Sequence, residues 1–381
     1  MSYLTKLTLQ NYRCYASAEI DTLQSGLIVL CGANGVGKTN ILEAISLLTQ
    51  GRGLRGAKPL DIQKNDSPVS WGISAKIQTA KSHEEGVEVT IGTGLNPEND
   101  RRMSRINGVV AKSQAALADY LSCLWLTPQM DRLFLEGSSG RRRFLDRMIF
   151  AFDPSHSGRV TRYENALRQR SKLLSENKNE DVWLSGLEKQ MAETGIAIAA
   201  ARIDFLDKLI PCFLTDKDAN GHFPKASLTL KGVLEDLLEK SPALEAENKF
   251  IALLEQSRNY DAVAGGAKDG PHKTDLDVVY LNKKMPASQC STGEQKALLV
   301  SIVLAHSRLI NAERGAPPVL LLDEIAAHLD EDRRMALFEQ LNLLGGQVWM
   351  TGTDPVLFAA IKNKAQFFAI ESAKIMPIKT L

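Results

Sequence analysis

The spacing of apolar residues changes along the chain from alternating to helical and back again. Leu4-Thr5-Lys6-Leu7-Thr8-Leu9 alternates like a half-buried strand and Ala18-Glu19-Ile20 follows it. Leu27-Ile28-Val29-Leu30-Cys31 is a continuous apolar run of buried-strand length. These three strands read as an opening antiparallel β-meander. After a glycine-rich turn, Asn40 to Leu48 places apolar residues at helical spacing. Val69 to Ile77 is strand-like, and Met103 to Val110 reads as a tight hairpin, because Asn107-Gly108 suits a type I′ turn. Leu124-Trp125-Leu126 is a further apolar strand. From about Asp153 to Arg258 the pattern is mostly helical, with a long amphipathic stretch starting at Asp181 and one strand, Ser227 to Leu230. Heptads are not sustained, which predicts a compact helical arm and not a long coiled coil. Beyond a strand at Leu276 to Leu281, α/β alternation returns. The pattern predicts helix 293–312, strand 319–322, helix 330–344, strand 347–352, a last helix near 355–364 and short terminal strands. The expectation is an α/β core, a mixed sheet with flanking helices, split by an inserted, mainly helical domain. Its parts would be 1–120, 121–275 and 276–381.

Composition narrows the class. In 381 residues, 44% apolar and 24% charged content are those of a globular protein. No apolar run approaches the ~20 residues of a membrane helix, and Met1 to Lys6 does not read as a signal peptide. The five cysteines are scattered and lack metal-ligand spacing, which points to a reducing compartment and a cytoplasmic location. A net charge of +1 leaves nucleic-acid binding open, since only a local basic surface is required. Arg52, Arg55 and Lys58 in a glycine-rich loop, with Arg101 and Arg102 beside the hairpin, are the candidates for such a surface.

The chemistry starts at Gly32-Ala33-Asn34-Gly35-Val36-Gly37-Lys38-Thr39, which fits G-x-x-x-x-G-K-[ST] between a buried strand and a helix start. Glycines let the backbone curl so that N–H groups converge on phosphates at a helix N-terminus. Lys38 would reach the β- and γ-phosphates, Thr39 would hold Mg²⁺, and Asn40 begins the helix. The chain is therefore expected to bind a nucleoside triphosphate. Val319 to Leu322 followed by Asp323-Glu324 reads as a Walker B strand, with Asp323 the Mg²⁺ partner and Glu324 the general base. Cys290-Ser291-Thr292-Gly293-Glu294-Gln295-Lys296 opens a helix. Alone it resembles a capping box as much as a phosphate site.

The order of these motifs, with Gln129 in a loop ahead of the signature Ser291-x-Gly293-x-Gln295 and with Leu329-Asp330 after Walker B, resembles the ABC-type ATPases. Further segments resemble the RecF family of the SMC-like group: Asn11-Tyr12-Arg13, the arginine-rich run Arg141 to Asp146, Gly270-Pro271-His272 and Leu322-Asp323-Glu324. The resemblance implies an ABC-type ATPase head in which ATP drives head-to-head dimerisation. Ser291 and Gly293, with Glu294 and Gln295, would complete the partner's site. Arg13 and Gln129 would meet nucleotide, and Asp330 would link the two sites. Thr353 stands where transporter ATPases carry a switch histidine, which implies slow turnover. Members act on double-stranded and gapped DNA with RecR and RecO and help load RecA. A transporter's nucleotide-binding subunit shares the three motifs, but the helical insertion and Thr353 argue against it. Another SMC-like ATPase is the remaining alternative.

Overall fold

The computed structural model describes residues 2–64, 69–79, 88–176, 181–213, 223–327 and 329–378. The chain forms two compact units. One comprises Met1–Asp131, Thr215–Pro224 and Ser291–Leu381, the other Arg132–Leu214 and Lys225–Cys290.

The first unit holds two six-stranded sheets. One is antiparallel, in the order Tyr15–Ile20, Tyr3–Tyr12, Gly72–Gln78, Glu88–Leu95, Arg102–Ile106, Val109–Val110. Asn107 and Gly108 both have positive φ, 49° and 80°, as the type I′ hairpin requires. The expected opening meander is corrected here, because Leu27–Cys31 leaves its two predecessors and joins the other sheet. Every residue of Leu27–Cys31 is buried, which suits a parallel strand covered on both faces. Tyr3–Tyr12 alternates instead and takes Gly72–Gln78 as its second neighbour. The second sheet runs Lys374–Ile378, Ala365–Glu371, Leu27–Cys31, Val348–Gly352, Val319–Leu322, Cys123–Leu126, parallel except at its first edge. Leu4, Leu7 and Leu9 share one core with Ile28, Leu30, Leu321 and Trp349. Buried Gln347 stitches the sheets together, accepting from Leu4 N at 3.1 Å and donating to Leu4 O at 2.9 Å. Helix Thr292–Arg314 is buried from Gln295 through Ser307, as expected of a helix covered on every face. The expected last helix is a 3₁₀ turn, Pro355–Ile361, begun by Asp354, whose side chain accepts from Val356 N.

The second unit packs helices Ser138–Phe152, His156–Ser175, Asp181–Leu209, Val233–Lys240 and Ala243–Ala264 with a three-stranded sheet: Met285–Pro286, Asp275–Tyr280, Ala226–Lys231. The long helix stops at Leu209 and tightens into a 3₁₀ turn at Ile210–Phe213, where Pro211 has no N–H to continue the ladder. The units divide near 131 and 290, not at 120 and 275. Pairing decides this: Cys123–Leu126 is in register with Val319–Leu322, whereas Asp275–Tyr280 pairs with Ala226–Lys231.

The runs Arg141 to Asp146 and Gly270-Pro271-His272 are bonded within this second unit. Arg141 grips Asp275 through Nε and Nη2 at 2.8 and 2.9 Å, and Arg142 donates to Thr274 O at 2.8 Å. Asp146 accepts both Nε and Nη2 of Arg202 and contacts His156 Nε2 at 3.0 Å. Gly270 is required, since a Cβ there would lie 2.2 Å from Tyr163 Oη. His272 Nδ1 is 2.7 Å from that hydroxyl, and Pro271 O accepts from Arg202. Fully buried Arg170 reaches Glu188, Asp261 and Leu254 O. Removing one partner of such a pair costs about 3–5 kcal/mol, because the other charge is left uncompensated. Among the described residues no helix is long and apolar enough to cross a membrane.

Candidate nucleotide site

The site lies at the carboxyl ends of the parallel strands, where open α/β sheets place ligands. Leu27–Cys31 runs into the glycine-rich loop, and helix Lys38–Leu47 leaves it. Two glycines have steric reasons. A Cβ on Gly32 would stand 2.4 Å from Ile370 O, and on Gly37, at φ +114°, it would meet Tyr15 Oη and Cys14 Sγ at 2.6 and 2.7 Å. Ala33, Asn34 and Gly35 form the exposed lip and Val36 packs on the core. Lys38 is 5% exposed, and its Nζ donates to Gly32 O and Ala33 O at 2.6 and 2.9 Å. Burial lowers its pKa, against the raising effect of Glu324 and Asp323.

Val319–Leu322 delivers Asp323 to the same place. Its two carboxylate oxygens each lie 3.0 Å from Thr39 Oγ1. A hydroxyl and a carboxylate converging beside a phosphate cradle form a hard-oxygen pair, which fits Mg²⁺ arriving with a nucleotide and keeping most of its waters. Among the described residues no group of three or more His, Cys, Asp or Glu side chains could hold a separate metal. Glu324 follows with φ +50°, a left-handed conformation uncommon for a residue with a side chain. Its N–H donates to Thr351 Oγ1 at 2.8 Å, and that hydroxyl donates to Asp323 Oδ1 at 2.7 Å. Thr351 is fully buried and was absent from the sequence expectations. A lone hydroxyl in the apolar strand Val348–Gly352 was the available signal, since a buried polar group needs partners.

Other expected residues fall into distinct settings. Ser291 is the exposed N-cap of Thr292–Arg314, within a complete capping box. Glu294 accepts from Ser291 N and Oγ at 2.8 and 2.9 Å, and Gly293 lies in the first turn. Gln295 is buried, at 2% exposure, just inside the exposed cap. Lys296, buried beside it, donates to Ala327 O at 3.0 Å, tying this helix to the segment after Walker B. Asp330 caps helix Glu331–Leu344, accepting from Arg333 N at 2.8 Å. Gln129 is exposed in the turn Pro128–Arg132, and Thr353 is exposed just past Val348–Gly352.

Arg13 engages protein rather than open space. Its Nε and Nη2 grip fully buried Glu43 at 2.9 and 2.6 Å, and Arg55 adds a third bond at 3.1 Å while donating to Asn40 Oδ1. Arg102 is corrected as a surface candidate. Its guanidinium donates to Leu47 O, Thr49 O and Gly51 O behind helix Lys38–Leu47, and burial pushes its pKa down to about 10. Arg52, Arg55, Lys58 and Arg101 are exposed.

Comparison with known proteins gives the family and the fold. The family described as RecF/RecN/SMC N terminal domain matches residues 3–374. A protein named DNA replication and repair protein RecF from Rhizobium rhizogenes is 47% identical over 97% of this chain and 96% of its own length. A protein of the same name from Rhizobium meliloti is 44% identical over 98% of both. Among solved structures, the recombination mediator protein RecF-ATPrS in the RecFOR pathway superposes with a TM-score of 0.86 at 24% identity. It covers 99% of this chain and 98% of that one. The Smc head domain of Pyrococcus furiosus with an extended coiled coil gives 0.55 at 18% identity, covering 99% and 96%.

Proposed function

Because the chain belongs to the RecF family of the RecF/RecN/SMC group, we propose that it is an ATP-dependent DNA-binding protein of DNA replication and repair, whose two heads close on each other around ATP. The observation that carries this reading is the convergence of Thr39 and Asp323, 284 positions apart in sequence, to 3.0 Å beside the glycine-rich loop.

The chain's own residues supply the steps. Loop N–H groups and the N-terminus of helix Lys38–Leu47 receive the phosphates, and Lys38 exchanges Gly32 O and Ala33 O for β- and γ-phosphate oxygens. Thr39 and Asp323 would hold Mg²⁺, which would supply charge neutralisation to the phosphates. Glu324 orients and deprotonates the attacking water. Exposed Ser291 and half-buried Gly293 face the γ-phosphate held by a second copy, which makes the dimer isologous. With Thr353 in place of an imidazole, hydrolysis is slow, so ATP acts as a timer for release from DNA. Arg52, Arg55, Lys58 and Arg101 contact the DNA backbone. Family relationship supports duplex and gapped DNA as the substrate and RecR, with RecO, as the partner that leads to RecA loading.

The test is light scattering after size exclusion, with and without ATP and duplex DNA, on the parent and on Glu324→Gln. A dimer trapped by Glu324→Gln with DNA binding retained is expected. A chain that stays monomeric at saturating ATP, Mg²⁺ and duplex overturns the proposal.

A further inference from the structure

Val348–Gly352 lies between the strand that feeds the glycine-rich loop and the strand that ends in Asp323. Valine has the shape of threonine and an equal liking for strands, so packing alone does not call for the Thr351 hydroxyl. That hydroxyl touches the carboxylate of Asp323 and the backbone N–H of Glu324. Having one proton, it donates to Asp323 Oδ1 at 2.7 Å and therefore accepts from Glu324 N–H at 2.8 Å. The two bonds run in series in a buried setting, where each polarises the other.

From this arrangement we infer that Thr351 is a positioning residue for ATP hydrolysis: one hydroxyl sets the rotation of the Asp323 carboxylate and holds the Glu324 backbone in its left-handed turn. The inference rests on the reading of Glu324 as the base. Left-handed backbone costs about 1–2 kcal/mol for a residue with a Cβ, so Glu324 needs a tether to remain there. Without one, the turn relaxes and carries its carboxylate away from the water it must orient. Asp323 would keep its contacts with Thr39 and lose the bond that fixes its other side. Misplacement by about 1 Å is enough to lower turnover about 100-fold. Nucleotide binding is carried by the loop and Lys38, and Asp323 keeps Thr39 as its partner without this hydroxyl, so its loss bears on turnover more than on affinity.

The experiment compares Thr351→Val, Thr351→Ser and Glu324→Gln for thermal melting, affinity for a fluorescent ATP analogue with Mg²⁺, and steady-state turnover. For Thr351→Val the expected result is affinity within about twofold of the parent and turnover down about 10- to 100-fold, with Thr351→Ser restoring most of it. Parental turnover in Thr351→Val overturns the inference. So does an equal loss of affinity and turnover, which would make Thr351 merely structural. Should Thr351→Val fail to fold, Thr351→Cys replaces it as a small side chain with a weak donor and acceptor; turnover equal to that of Thr351→Ser then counts against the inference. Glu324→Gln separates the two readings. If it hydrolyses ATP normally, the assignment of the base fails. If it is inactive while Thr351→Val is active, only the role of Thr351 fails.

Discussion

Replacing Ser291 with alanine removes an N-cap and, in the proposed dimer, a ligand to the partner's γ-phosphate. The structure allows the two losses to be told apart by size. An N-cap to alanine change costs about 0.5–2 kcal/mol, and here the cap bond is long, 3.4 Å from Ser291 Oγ to Glu294 N. Glu294 keeps its 2.8 Å bond from Ser291 N in the variant, so half of the capping box survives. The cost is therefore near the low end, about 0.5 kcal/mol, and the melting temperature should fall by only about 1–2 °C. ATP affinity of the monomer should not change. ATP-dependent dimerisation should be lost, and turnover with it, because each site lacks the hydroxyl of the other copy. Asparagine caps helices as well as serine, so Ser291→Asn should melt like the parent and still fail to dimerise. Thermal melts, fluorescent-nucleotide titration and light scattering with ATP are the measurements. Normal ATP-dependent dimerisation of Ser291→Ala would refute a site shared between copies, whatever the melting curve does.

Lys38→Met should abolish nucleotide binding, and ATP-dependent dimerisation and DNA binding should disappear together in the same titrations. Combined alanine substitution of Arg52, Lys58 and Arg101 should weaken DNA binding and flatten its salt dependence by about one in log–log slope for each phosphate left without its cation. Arg102→Ala should leave that slope alone and instead lower the melting temperature, since it leaves the part-buried carbonyls of Leu47 and Thr49 without their donor, at up to about 1–3 kcal/mol each. Glu235, 6% exposed and accepting from Thr274 Oγ1, has its carboxyl pKa raised by burial. A carboxyl whose folded pKa is raised contributes stability that is full below its unfolded value, about 4.3, and lost as pH rises through the folded value. Glu235→Gln should therefore raise the melting temperature at neutral pH and not near pH ~4; an equal effect at both would contradict this.

Much of the fold could be read from local pattern. Leu27–Cys31 and Val319–Leu322 are apolar runs whose length and flanking turns leave little choice, Thr292–Arg314 carries an apolar centre of helical length, and Asn107-Gly108 selects its own turn. The glycine-rich loop and the Asp323-Glu324 pair were legible for the same reason: their chemistry is carried by consecutive residues. Pairing partners were not legible. Nothing local tells Leu27–Cys31 to abandon Tyr3–Tyr12 and lie between Ala365–Glu371 and Val348–Gly352, because strand neighbours are chosen by burial on both faces across hundreds of residues. The same holds for side-chain fate. Arg101 and Arg102 are identical in sequence terms, yet the first is exposed and the second is enclosed by carbonyls of a distant segment. Arg13 meets Glu43 only once helix Lys38–Leu47 has docked. Thr351 shows the limit most clearly. Its residue type says only that a hydroxyl sits in an apolar strand; that it bridges the Asp323 carboxylate and the Glu324 backbone follows from the order of strands in the sheet, which the chain specifies collectively and no short stretch of it encodes.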